Sequence, residues 1–172
     1  MPSRKPPSST KPGEAADSQI DAEAALASFI AKFEPKHAEL IRDCRRELRS
    51  IFPTAIELVY DNYNFFVIGY SSSMRPSDCI VSIAAAANGV GLSFYYGAAL
   101  PDPAGILEGS GKQNRFIRLP TAGKLREPEV LKLIQVAAAH GKTKLPSTGQ
   151  GHLVIKSVSA KQRPRQSAKS AA

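Results

Sequence analysis

The chain has 172 residues, 42% of them hydrophobic, which suffices for one core and requires no second domain. No uninterrupted apolar run of about 18 residues occurs, and no apolar block follows the basic start MPSRKPPSSTKPG, so neither a spanning helix nor a secretory signal is expected. The net charge of +8 is uneven: +1 over residues 1–18, zero over 19–140 and +7 over 141–172, where Lys142, Lys144, Lys156, Lys161, Arg163, Arg165 and Lys169 face no acid.

Residues 1–17 are rich in Pro, Ser and Lys and nearly devoid of large apolar side chains, so a disordered N-terminal tail is expected there. Ser18 with Asp21 fits a helix cap, and Leu26, Phe29, Ile30 and Phe33 follow at helical spacing, which predicts a first helix over 19–33. Pro35 suits the first position of a second helix. Its apolar arc holds Leu40, Ile41, Cys44, Leu48, Ile51 and Phe52, and Arg42, Arg45, Arg46 and Arg49 gather opposite, beside Glu39, Asp43 and Glu47. That basic arc is read as a solvated face with paired charges. Pro53 ends the helix.

From Ile56 the period changes to two. Strands are expected over 56–60 and 63–70, with Asp61-Asn62 turning between them, followed by a loop SSSMRPSD over 71–78. Cys79 to Ala87 returns to strand with small residues that suit close packing under a helix. Asn88-Gly89 is the clearest hairpin signal, since a two-residue turn of that kind needs positive φ at both positions. Val90 to Tyr96 then pairs back antiparallel. Leu100 to Leu119, LPDPAGILEGSGKQNRFIRL, is a Gly-rich, cationic loop that resolves into a strand at 114–119. Glu127-Pro128-Glu129 opens a last helix with apolar Val130, Leu133, Ile134 and Ala137, His140 caps its final turn, and Gly141 closes it. His152 to Val158 reads as one more strand at a sheet edge.

Most chemistry is refused. Gly109-Ser110-Gly111-Lys112 imitates a phosphate loop, but Ile106 stands where the first glycine belongs, Gln113 where a hydroxyl belongs, and a strand follows instead of a helix. What survives is a possible anion-binding concavity of glycine amides with Lys112, Arg115 and Arg118 nearby, against the plainer reading of a structural turn. His37, His140 and His152 are far apart, and no CxxC, HxxxH or HExxH is present, so no metal site and no cofactor is predicted. Glu57, Asp61, Asp78 and Asp102 are left as acids that can meet a hard metal only by tertiary folding. No triad suggests itself. Cys44 and Cys79 read as buried thiols, which suits a reducing compartment and predicts a cytoplasmic protein.

Several motifs in order carry a resemblance: Leu58-Val59-Tyr60-Asp61, Arg75-Pro76-Ser77-Asp78, Leu100-Pro101-Asp102-Pro103, Gly109-Ser110-Gly111-Lys112 with Arg115 and Ile117-Arg118-Leu119, and Ile155 through Arg165. Over residues 38–166 the chain resembles the YdhG-like bacterial domains of unknown function. The resemblance implies a compact α+β fold, an antiparallel sheet on helices, and a closing segment over 152–165 that is docked and used. One branch of the wider family is described as a frataxin-like iron chaperone, but no ligand set transfers to residues here.

Together these readings predict one α+β domain over 18–165, with an antiparallel sheet of about five or six strands packed on helices and a disordered tail over 166–172. The expected role is a non-catalytic binding module for a small anionic or phosphorylated ligand held by Arg75, Gly109, Gly111, Lys112, Arg115 and Arg118. Nucleic-acid association through Lys161, Arg163 and Arg165 and iron carriage through acids such as Asp61 or Asp78 are the alternatives. No membrane partner is expected.

Overall fold

The computed structural model describes residues 11–168, as three helices on one face of a six-stranded sheet. Helix α1, Pro12–Ile30, begins well before the expected Ser18 cap. Pro12 at the first helical position, Glu14 in the first turn and Ala15-Ala16 favour helix locally, and these residues are exposed, so no core contact is needed to form them. The tail expected over 1–17 is thus shortened; residues 1–10 lie outside the described residues. Helix α2, Pro35–Ile51, follows with Pro35 where the sequence places it.

Strands β1, Ile56–Asp61, and β2, Phe66–Ser71, form a hairpin, then β3, Cys79–Ala86, and β4, Gly89–Phe94, form a second. The connection between β3 and β4 is Ala87-Asn88, neither at positive φ; the positive angle, 144°, falls one place later at Gly89. Strand β5, Arg115–Arg118, follows the long loop, then α3, Pro128–His140, and β6, Leu153–Val158. Gly141 does close α3, but in extended geometry and not as a left-handed cap.

The sheet order is β5-β4-β3-β2-β1-β6. All pairs are antiparallel except β1 with β6, which is parallel, so the sheet is mixed where a wholly antiparallel one was expected. The reason is topological. After α3 crosses the sheet, the chain re-enters at the end where β1 begins, and Glu57 N–H donates to His152 O at 2.9 Å. The outer edge of β6 is closed by α1: the Gln19 side-chain amide donates to Leu153 O and accepts from Leu153 N–H, both at 2.9 Å, as a neighbouring strand would.

Parity divides the strands. Val59, Phe66, Ile68, Val81, Ile83, Leu92, Phe94 and Ile117 face the helices and join Leu26, Phe29, Ile41, Leu48, Leu133 and Ile134 in one core. Arg45 departs from the solvated face expected of α2. It turns inward, donating through Nε and Nη2 to the buried Glu57 at 2.9 Å each and through Nη1 and Nη2 to Glu23 of α1 at 2.9 and 2.6 Å, while Tyr70 Oη–H donates to Glu57 at 3.1 Å. Burial of the Tyr70 phenol, with Glu57 beside it, pushes its pKa well above the ordinary value. Arg46 and Arg126 pair with Asp43 and Glu47 nearer the surface.

Candidate functional site

Among the described residues, the strand faces turned away from the helices are left open across the sheet's middle. Register lines up two ladders there: Leu58, Gly69, Ser82, Ser93 and Phe116 in one, and Tyr60, Val67, Ala84, Gly91 and Arg118 in the other. Both have small side chains in the middle and large ones at the sides. A twisted sheet with a floor of Ser, Ala and Gly between aromatic walls is a trough, and here it encloses about 540 Å³, within the range of small-molecule sites. Phe65 and Tyr95 extend the walls, and Asn62, Asn88 and Asn114 stand along the rim.

The polar groups of the trough are few. Among the described residues Arg118 is its one formally charged lining residue, opposed by Glu108 at 3.9 Å across an exposed gap, a pairing worth little in water. Tyr60 Oη is enclosed with no hydrogen-bond partner among the described residues, and burial, with Cys79 beside it, raises its pKa. Cys79 closes the upper end. Burial pushes its thiol up to about 11 and that of Cys44 up to about 12, so both stay neutral and poorly nucleophilic at physiological pH. Gly69 lets Cys79 in: a Cβ there would stand 2.8 Å from the sulfur. A smaller hollow of about 160 Å³ between β3 and the end of α3 is lined by Tyr96 and His140, whose rings lie 6.4 Å apart. His140 occupies the last turn of α3, the capping position the sequence assigns it.

The expected anion site over 109–118 does not assemble. Gly109 has the positive φ of 112° that the turn needs and lies against the Phe116 ring. Arg115 is spent on the loop itself, donating to the carbonyls of Gly111 and Asn114. Arg118 sits three residues on, at the opposite end of β5 and of opposite parity, so it faces the trough while Arg115 does not. Lys112 is exposed, with no ion pair among the described residues. Arg75 is exposed on a different loop, next to Pro76 at the trough's other end. The cations of this set are therefore splayed, and among the described residues only Arg118 lines the trough.

The C-terminal segment is docked, as the resemblance implies, but Arg165 is not presented to a partner. It is buried, with Nη2 donating to Asp61 Oδ1 at 2.9 Å and to Asn62 O, Nη1 to Asn64 O at 3.2 Å, and its guanidinium over the Phe33 ring. Arg165 leaves the nucleic-acid set because it is a structural clasp. Lys161 and Arg163 stay exposed, Arg163 over the Tyr63 ring at 5.7 Å. Ser167 is also engaged, its hydroxyl donating to Glu34 at 2.8 Å, so part of the expected tail over 166–172 is held; residues 169–172 lie outside the described residues.

The acids offered for iron are each engaged separately. Asp61 is fully buried with Lys32 at 2.6 Å and Arg165; burial raises its pKa, but the bonds from Lys32, Gln162 and Arg165 outweigh that and hold it below the usual value. Glu57 belongs to Arg45, Asp78 accepts from Ser73 Oγ at 2.6 Å, and Asp102 accepts from the amides of Ile106 and Leu107. Among the described residues no three His, Cys, Asp or Glu side chains cluster as a metal site.

Of the trough floor, Ser82 and Ala84 belong to the small residues of 79–87 that the sequence assigns to packing under a helix, and Gly91 and Ser93 read only as part of the returning strand. Their opposite-parity neighbours meet the helices instead. Among the described residues no helix is long and apolar enough to cross a membrane. No family model matches the chain, and neither a curated protein nor a solved structure matches it.

Proposed function

We propose that this chain is a YdhG-like binding module that takes a small ligand with a planar, largely apolar body and an anionic group in the trough on the open sheet face. The supporting observation is the conjunction of a small-residue floor, aromatic walls and a single lining cation, Arg118. The flat body lies over Ala84 and Gly91 between the rings, and the anion meets Arg118 in place of the loosely held Glu108. The raised pKa of Cys79 and of Tyr60 favours binding over nucleophilic chemistry at this site.

Anilinonaphthalene sulfonate combines these features and reports binding by fluorescence. The folded protein is expected to enhance its emission saturably, Ala84→Phe to abolish the enhancement by filling the floor, and Arg118→Gln to weaken binding. An unchanged titration with Ala84→Phe, its fold verified by circular dichroism, places the dye elsewhere and refutes the reading.

A further inference from the structure

We infer that the trough, if it binds planar anions as proposed above, accommodates single-stranded nucleic acid, with bases stacked on its aromatic walls and phosphates directed to the cations at its two ends. Four rings, Tyr60, Phe65, Tyr95 and Phe116, line an uncovered sheet face, and Phe65 and Tyr95 leave 50% and 39% of their surface in water. Rings so exposed gain little for folding, yet each offers a face on which any base can stack.

The surroundings match a strand of phosphates better than an isolated apolar ligand. Among the described residues no carboxylate lines the trough: Asp61, on the helix-facing side of β1, is held by Lys32 and Arg165, and Glu108 stands outside the lining, 3.9 Å from Arg118. Arg118 stands at the end where β5 finishes, and exposed Arg75 stands beside Pro76 at the end where β3 begins. Past Asn62, the turn between β1 and β2 carries Tyr63, on which exposed Arg163 stacks, so aromatic and cationic surface continues beyond the trough. Base edges find amides: Asn62 Oδ1 accepts from Ser157 and Asn114 Oδ1 from Ser93, which orients each NH2 as a donor. A duplex keeps its base faces stacked internally, so the rings select the single strand.

The test is fluorescence anisotropy with a labelled oligothymidylate of about eight nucleotides, alongside the dye titration. Tyr95→Ala and Phe65→Ala, both at exposed positions that leave the core intact, are each expected to weaken oligonucleotide binding by about 5- to 150-fold. Arg118→Gln is expected to make the slope of log K against log salt shallower by about 0.7, the loss of one phosphate contact on a single strand. Parent affinity in both ring variants overturns the proposal, as does binding that disappears only with Lys161→Gln and Arg163→Gln, since that assigns it to the C-terminal segment. Dye binding without oligonucleotide binding overturns the nucleic-acid inference and leaves the small-ligand reading standing. Absence of both refutes both.

Discussion

Arg165→Met tests whether the closing segment is a structural part of the domain. Methionine keeps an apolar stem against Phe33 and removes the donors that reach Asp61, Asn62 and Asn64. The Asp61 carboxylate, 0% exposed, then retains Lys32, whose own side chain is 41% exposed. Breaking a buried ion pair from one side costs about 3–5 kcal/mol, and the remaining lysine puts this case at the low end, about 3 kcal/mol. For a domain of this size each kcal/mol moves the melting temperature by about 2–4 °C, so a fall of about 6–12 °C is expected. Thermal and urea unfolding followed by circular dichroism measure it, and the Asp61→Asn, Arg165→Met double variant closes the cycle by showing a smaller loss than the sum of the singles. A loss below about 0.5 kcal/mol for Arg165→Met would refute the clasp, because that is the scale of an ordinary surface substitution.

The same carboxylate predicts an acid dependence. Its folded pKa is depressed, so its contribution is fully present above the unfolded value of about 4 and is lost as pH falls through the folded one; Asp61→Asn should flatten the stability profile below about pH 4, and parallel profiles would count against the assignment. Gly69→Ala should destabilise by about 1–3 kcal/mol through its clash with Cys79, with Cys79→Ala restoring most of the loss; equal unfolding midpoints for Gly69→Ala and the parent contradict that contact. Both thiols should resist a disulfide-exchange reagent at pH 8 in the native protein and react promptly in denaturant, and rapid native labelling of Cys79 would contradict its shielding between Gly69 and the trough. Gln19→Ala should speed amide exchange at Leu153, since it removes the acceptor of that N–H; unchanged protection would mean the edge is closed by other means.

Elements were legible wherever a period was unbroken and a terminus carried its own chemistry. Pro35 and Pro53 bracket α2, and the alternations after Ile56 and Cys79 yield the paired strands. The start of α1 was not legible from core pattern because its first turns touch no core and follow local propensity alone. The cations expected over 109–118 do not converge for a related reason. Glycines with cations in one segment suggest a shared hollow, but strand alternation already sets Arg115 and Arg118 on opposite faces, and in the fold Arg115 turns to loop carbonyls while Arg118 faces the trough.

From its own order of residues, this chain dictated where backbone turns helical or extended, which faces are apolar, and that its surplus charge gathers at one end, because those properties depend on neighbours a few positions away. Only the folded molecule decided that β6 joins β1 in parallel, that Arg165 closes over Asp61 104 residues earlier, and that the small side chains of β3 and β4 look outward. Each of these joins groups far apart along the chain. A sheet presents two faces with the same spacing, and which of them the helices cover is settled by where the whole core finds its best burial.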